Sequence, residues 1–421
     1  MQALFSPAVA LMNRLRYGAK FWLLGCAVGL VISVLLYSVF AGLNRDIESA
    51  RSELAGLQML KPMNLMVQNM QQHRGLSSGV LNGNEAMKDK RAAKEKEAAE
   101  ALAATDAALS PGLRETAAWK SIRQDWEAIR AQGLSWTAPE NIKRHSVMIG
   151  NVLQFMADVA DDTQLMLDPV MDTYYSMDTV VTKMPAMLEQ LGVTRARGTG
   201  VLSKKELSPQ MRNDLAAQVA VMEGTLRAQN VNLEKTMRYA PQLQGVLSGP
   251  TREFAAGSEK IFALVREDIL TEKFATAPQD YFAAVTQVID LGYKVMYETL
   301  VPQFEQQLER RIAEARRLML LEVGLAVLVA LLVGYLGMGT YYSVLGSVSD
   351  FSLGARRMAE GDLTAEFEAE GADELHAAAK DFNAMGAAFR KLLGGVQGDV
   401  RKLSQAAEQL ASSSQQISAS T

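Results

Sequence analysis

The sequence has one cysteine, Cys26, and three histidines, His73, His145 and His376, in 421 residues. A single thiol excludes an intrachain disulfide and a cysteine-based metal cage. No histidine has another at i+4, so the two-histidine metal pair is missing, and so is most scope for general-base chemistry. An excess of positive charge is also missing. Forty-three Lys and Arg against 47 Asp and Glu give a net charge of −4, and no electrostatic footprint for nucleic acid. There is no phosphate-binding glycine loop and no nucleophile elbow. The expectation is a protein that is not an enzyme and carries no cofactor and no metal. Aromatic residues make up 7% of the chain, and no long run of alternating β-branched residues occurs, so sheets are not expected. The predicted class is all-α.

The 48% of apolar residues are unevenly spread. Phe21–Leu43 and Val323–Tyr342 each run without a charged residue. An apolar helix of about 20 residues crosses a bilayer, and both runs reach that length. The first is longer than the apolar core of a signal peptide and no clean small-residue cleavage site follows it. Arg14, Arg16 and Lys20 precede it without an acidic residue, which places the N-terminus on the cytoplasmic side. Arg310, Arg311, Arg316 and Arg317 argue the other way, but charges bordering a long translocated domain count for less. The resulting layout is a cytoplasmic tail at 1–20, a first span at 21–43, an outer domain at 44–317, a second span at 318–342, and cytoplasmic segments at 343–395 and 396–421. The expected location is a bacterial inner membrane.

The outer segment is rich in strong helix formers and repeats itself. Lys61-Pro62 and Met184-Pro185 are each followed, twelve residues after the proline, by Arg-Gly: Arg74-Gly75 and Arg197-Gly198. Each pair leads to Val-Leu. Thr137-Ala138-Pro139-Glu140 is echoed by Thr276-Ala277-Pro278-Gln279. Two modules follow, 44–168 and 169–317, each a four-helix bundle. Breaks are expected at Pro111-Gly112, Gly133, Ser208-Pro209, Pro241, Gly249-Pro250 and Pro278. The last helix, with no glycine or proline from Gln303 to Arg317, is expected to run unbroken into the second span.

The Arg-Gly pairs are the best ligand candidates, because arginine's planar fork takes two oxygens of one anion at once. The candidate site residues are Arg74, Ser77, Arg195, Arg197 and Thr199, with Tyr174 as a possible pocket wall. The competing reading makes these arginines inter-helix salt bridges and the glycines packing aids.

The stretch Leu65–Asn84 (LMVQNMQQHRGLSSGVLNGN) resembles the signature of the nitrate- and nitrite-sensing domain family. The resemblance implies paired helical bundles with an arginine from each half on a small anion, Arg74 and, through the repeat, Arg197. His73 departs from it, since a glutamate is usual there. The double-bundle layout also resembles helical bimodular sensors, which take small carboxylates.

After the second span, Val344, Val348, Phe351, Ala355 and Met358, then Leu375, Ala378, Phe382, Met385, Phe389 and Leu392, keep heptad spacing. Two short seams joined by Glu360–Ala372 need partners, which argues for a homodimer forming a parallel four-helix coiled coil. Ala359-Glu360-Gly361-Asp362-Leu363, Asp373-Glu374-Leu375 and Phe382-Asn383-x-Met385 resemble the HAMP linker of bacterial receptors. The seam goes on through Leu403, Leu410 and Ile417 after a stutter at Leu392–Val396–Val400. The tail Ala406–Thr421 resembles the signalling helices of methyl-accepting chemotaxis proteins. Ala411–Ser420 fits that family's modification pattern, with Gln415 and Gln416 at its centre, although Ser/Ala/Gln sequence matches it easily by chance.

The leading reading is a transmembrane chemoreceptor for a small outer ligand, an anion such as nitrate or a carboxylate. It would act through HAMP on a cytoplasmic histidine kinase and its coupling adaptor. The kinase-contacting hairpin lies outside the 421 residues, so the expectation is a truncated product or part of a longer protein. The alternative is a sensor histidine kinase or diguanylate cyclase cut after the same sensor and linker.

Overall fold

Helices account for the regular structure among the described residues, and no strand occurs there. In this computed structural model the backbone is described for residues 2–367 and 373–419, and side chains for 5–367 and 373–415. The chain divides into two units, Ala41–Met319 and a second made of Met1–Phe40 with Leu320–Thr421.

In Ala41–Met319 the first module comprises the C-terminal part of α2 (Tyr17–Leu81), α3 (Lys88–Ala108), the short α4 (Pro111–Arg114), α5 (Ala117–Gln132) and α6 (Ala138–Asp162). The buried face of α2 reads Ile47, Ala50, Glu53, Leu57, Leu60, Met63, Val67, Met70 and Arg74, steps of three and four that keep one stripe inward. The second module comprises α7 (Met171–Met177) and α8 (Met184–Lys204), joined by a π-helical turn at Asp178–Lys183, then α9 (Pro209–Tyr239), α10 (Gln244–Leu264) and α11 (Pro278–Val295). A π turn at Met296–Leu300 carries α11 into α12 (Val301–Ala359).

The repeated Thr-Ala-Pro landmarks both start helices. Thr137 caps α6, its Oγ1 accepting from the Glu140 N–H at 3.4 Å. Pro278 opens α11 behind Ala277, which has no side chain to cap with. Thr116 and Ser208 cap α5 and α9 in the same way. One expected break is absent: α10 runs through Pro250. Leu247, Thr251 and Phe254 are buried on one face there, and that burial outweighs the one N–H that proline withholds. The chain turns earlier, at Pro241–Leu243. A single apolar core joins both modules, from Trp119, Trp126 and Phe155 in the first to Phe254, Tyr281 and Phe304 in the second.

In the other unit, α2 and α12 each contain a segment long and apolar enough to cross a membrane. Its side chains are bare: Trp22, Leu30, Leu35, Leu331 and Tyr335 are all exposed, a surface suited to lipid. Phe21 meets Tyr341 edge-on, ring centroids 5.8 Å apart. Beyond the second span α12 continues to Ala359 and α13 covers Glu374–Ala419. Asp373 caps α13, its Oδ1 accepting from the Leu375 and His376 N–H groups. Asn383 of α13 holds the connector by both backbone groups of Phe367, accepting at 2.9 Å and donating at 2.8 Å. Phe351, Phe367 and Phe382 cluster around that clasp. Met385, Phe389, Leu392, Val396, Leu403 and Leu410 stand exposed along the predicted seam.

Candidate functional site

Four helices of the Ala41–Met319 unit bring polar side chains to one buried place between the modules. From α2, Arg74 is only 4% exposed. Its Nη1 and Nη2 donate to Glu189 Oε1 and Oε2 of α8 at 2.6 and 3.2 Å, and Nη1 also donates to Ser146 Oγ of α6 at 2.9 Å. Gln71, one turn before Arg74, donates to Glu189 Oε2 at 2.8 Å. Gln71 Oε1 in turn accepts from the Tyr293 hydroxyl of α11 at 2.8 Å. The result is a relay, Tyr293–Gln71–Glu189–Arg74–Ser146, in which each buried polar group named has a partner.

Arg195 lies beside this relay and is held differently. It is 8% exposed, donates to Thr286 Oγ1 of α11 at 2.8 Å, and stands 4.7 Å over the Phe282 ring. Among the described residues no carboxylate lies within 4.0 Å of it. Burial pulls its guanidinium down to about 10, and the like charge of Arg74 adds to that; Asp290, Glu189 and Tyr281 pull the other way. A buried cation without an ion-pair partner is costly unless something negative joins it.

Each guanidinium lies close to a glycine of the facing helix. A Cβ at Gly75 of α2 would lie 3.7 Å from Arg195 Nη2, and one at Gly192 of α8 would lie 3.1 Å from Arg74 Nη2. Each guanidinium therefore reaches the backbone of the opposite helix.

The structure brings Arg74 and Arg195 together and leaves the other candidates apart. Arg197, two residues on, turns to α9 and donates to Gln218 Oε1 at 3.1 Å. Gly198 serves the Tyr281 ring, which a Cβ would meet at 2.5 Å. Ser77 accepts from Arg91 Nε at 3.0 Å in a neighbouring cluster. Thr199 Oγ1 is buried without a partner. Tyr174 is 38% exposed and meets Tyr175 edge-on. Gln415 is exposed on α13, and the Gln416 side chain lies outside the described residues. Glu189, Gln71, Ser146, Thr286 and Tyr293 are missed by motif reading. The one signal for Glu189 is a lone acidic residue within the apolar stretch Met184–Leu191.

Spacing alone also misses a histidine pair. His73 Nδ1 and His145 Nε2 are 2.9 Å apart, and His145 Nδ1 is 2.8 Å from the Asn141 carbonyl. The carbonyl can only accept, so His145 carries its proton on Nδ1 and accepts from His73 on Nε2. Burial, first among the causes, pushes His73 down to about 2 and His145 to about 4. Both are neutral at pH 7, and among the described residues no group of three metal-binding side chains forms. Because the folded state resists protonation, the stability these imidazoles contribute is present above 6.5 and lost as pH falls, down to about 4 for His145. Denaturant titrations from neutral to acid pH are therefore expected to show a shallower loss in a His73→Gln/His145→Gln variant. Equal slopes would count against the neutral pair.

The chain belongs to the nitrate and nitrite sensing family, whose pattern matches residues 65–300, more than half of its length. The HAMP domain pattern matches residues 340–391. With two helices able to cross a membrane, these define a bacterial membrane sensor. A solved structure described as that of the NasR transcription antiterminator is 16% identical, with a TM-score of 0.48, over 84% of this chain and 98% of that one. No curated protein matches the chain.

Proposed function

We propose that the chain is a receptor for a small oxyanion of the nitrate or nitrite class, bound at the Arg74–Arg195 pair. The observation that carries this is Arg195, a buried guanidinium with no carboxylate partner among the described residues, beside a second arginine whose fork is filled by Glu189. An anion between the two would neutralise Arg195 and compete with Glu189 for Arg74. A ligand shifts a conformational equilibrium only through different affinity for the two states. Here the difference is whether Glu189 or the anion occupies the fork, and α11 feels it through Thr286 and Tyr293. That helix continues through the Met296–Leu300 π turn into α12, which supports the reading that the second span receives the change.

Calorimetry of the full chain in nanodiscs against nitrate, nitrite and a dicarboxylate tests this. Arg74→Ala and Arg195→Ala are each expected to weaken nitrate binding at least tenfold, and Arg197→Ala to leave it within a few-fold. No binding by the unaltered chain, or binding indifferent to Arg195→Ala, overturns the site.

The same reading places 44–317 outside the cell and both termini inside, on the strength of Arg14, Arg16 and Lys20. The output is of the chemotaxis type, without an enzymatic activity of its own, through a HAMP dimer acting on a histidine kinase and its coupling adaptor. The small-residue seam of α13 and the exposed Gln415 support it. Hydrolysis of the Gln415 or Gln416 amide to a glutamate, with loss of ammonia, followed by a methyl ester on that carboxylate in cells with the adaptation enzymes, would bear this out. A phosphoryl group on a histidine of the same polypeptide would favour the sensor-kinase reading instead.

A further inference from the structure

We propose that Glu53, Asp168 and Arg311 form a one-proton binding site, separate from the anion site, at the junction of α2, the connector between the modules, and α12. A single nitrogen, Arg311 Nη1, donates to Glu53 Oε2 at 3.0 Å and to Asp168 Oδ1 at 2.9 Å. The side chains of Glu53 and Asp168 are both 0% exposed and that of Arg311 is 16% exposed. Asp168 Oδ2 is buried, with no close hydrogen-bond partner among the described residues. Two carboxylates on one guanidinium leave the buried set one negative charge in excess, and one proton removes it.

The groups facing this set come from every element around it. On α2, Ser49 Oγ donates to Glu53 Oε1 at 3.2 Å. In the connector, the Val170 N–H donates to Asp168 Oδ1 at 2.9 Å. On α7 stands Asp172, a further negative charge near Asp168. On α12, Gln307 donates to Asp172 Oδ2 at 3.4 Å and accepts from Ser176 at 2.8 Å. Arg311 is the one cation in these contacts, so the second carboxylate is met by neutral donors, the Val170 N–H and the Thr173 side chain, and by no second cation. Burial first, and Asp168 second, hold Glu53 up at about 7. Burial raises Asp168 as well. The proton therefore exchanges near neutrality, where an external pH change reaches it.

The location gives the proton leverage. Glu53 lies on the helix that emerges from the first span and Arg311 on the helix that leads into the second. Asp168 precedes Pro169 between the modules. Protonating one acid leaves Arg311 with a single carboxylate and removes the repulsion between Glu53 and Asp168, which changes how the three elements are held together. Gln71, Arg74, Glu189 and Arg195 take no part, so the proton input does not depend on the anion reading.

The sign follows from the direction of the shift. A carboxyl with a raised folded value favours the protonated native state, so its contribution is complete below 4.5 and is lost as pH rises through about 7. The test uses the full chain in nanodiscs, with melting temperature followed from about pH 5 to about pH 8. The expected result is a midpoint that falls with pH in the unaltered chain, and a flatter, higher curve above neutrality for Glu53→Gln. Infrared difference spectra should show a protonated carboxyl that titrates near neutrality and disappears in Glu53→Gln. A midpoint lowered at every pH by Glu53→Gln, with the original slope and no titrating carboxyl band, would make the cluster an ordinary ion pair and overturn the proposal. Because Glu53→Gln retains hydrogen-bonding capacity toward Arg311, a folding failure can be recognised with Glu53→Asp, which should fold and keep the carboxyl band.

Discussion

Glu189→Ala is expected to cost about 3–5 kcal/mol of stability, the usual cost of breaking a buried ion pair by removing one partner. Arg74 is 4% exposed, and the substitution takes away both carboxylate oxygens that its fork engages. Gln71 loses its acceptor in the same step. Ser146 remains, but one hydroxyl does not neutralise a guanidinium. The anion site adds a second expectation. With the fork emptied, nitrate can occupy it without displacing Glu189, so nitrate should stabilise Glu189→Ala more than it stabilises the unaltered chain. A ligand at a hundred times its Kd contributes about 2.7 kcal/mol, enough to return much of the loss. Denaturant unfolding with and without nitrate measures both effects. A loss below about 1 kcal/mol would mean that Arg74 is not buried against Glu189 as described.

The same pair of arginines shows where sequence reading stops. The two apolar helices, the all-α class and the HAMP segment are legible because each rests on local regularity: a long apolar run, strong helix formers without alternating β-branched residues, heptads flanking a Glu-Gly-Asp connector. The Arg74 partner is not local. The repeat pairs Arg74 with Arg197, since both precede a glycine, yet residues two apart on a helix point about 200° from each other. Only how α8 settles between α2, α9 and α11 decides that Arg195 faces Arg74 while Arg197 faces Gln218. His73 and His145 escaped for a related reason. A search for histidines one turn apart cannot find two that meet across α2 and α6. Glu189 looks out of place in its apolar stretch until its three donors are known.

These contacts also account for the division of labour along α11. Tyr281 packs against Gly198 and donates to the Thr194 carbonyl at 3.1 Å, fixing α11 to α8 through apolar and backbone contacts. Thr286 and Tyr293, further along, meet the two arginines' network instead. Apolar burial continues along the helix through Val288, Ile289, Gly292 and Val295, and the π turn follows it.

Trp119→Ala is the second large effect expected, about 3–5 kcal/mol, and it should leave the ligand site intact. Trp119 is fully buried, stacks on Phe155 of α6 with ring centroids 5.5 Å apart, and donates from Nε1 to Asp106 Oδ1 of α3 at 2.8 Å. Its own N–H donates to Thr116 Oγ1, the cap of α5. One side chain thus ties three helices of the first module, and alanine leaves a cavity too well walled to collapse. None of its contacts reaches Arg74, Glu189 or Arg195. At a temperature where the variant remains folded, nitrate affinity should stay within a few-fold of the unaltered value while the melting temperature drops by roughly 6–20 °C. A matching loss of affinity at that temperature would show that the first module's core and the arginine pair are coupled more tightly than these contacts allow. An unchanged melting temperature would refute the burial of Trp119 itself.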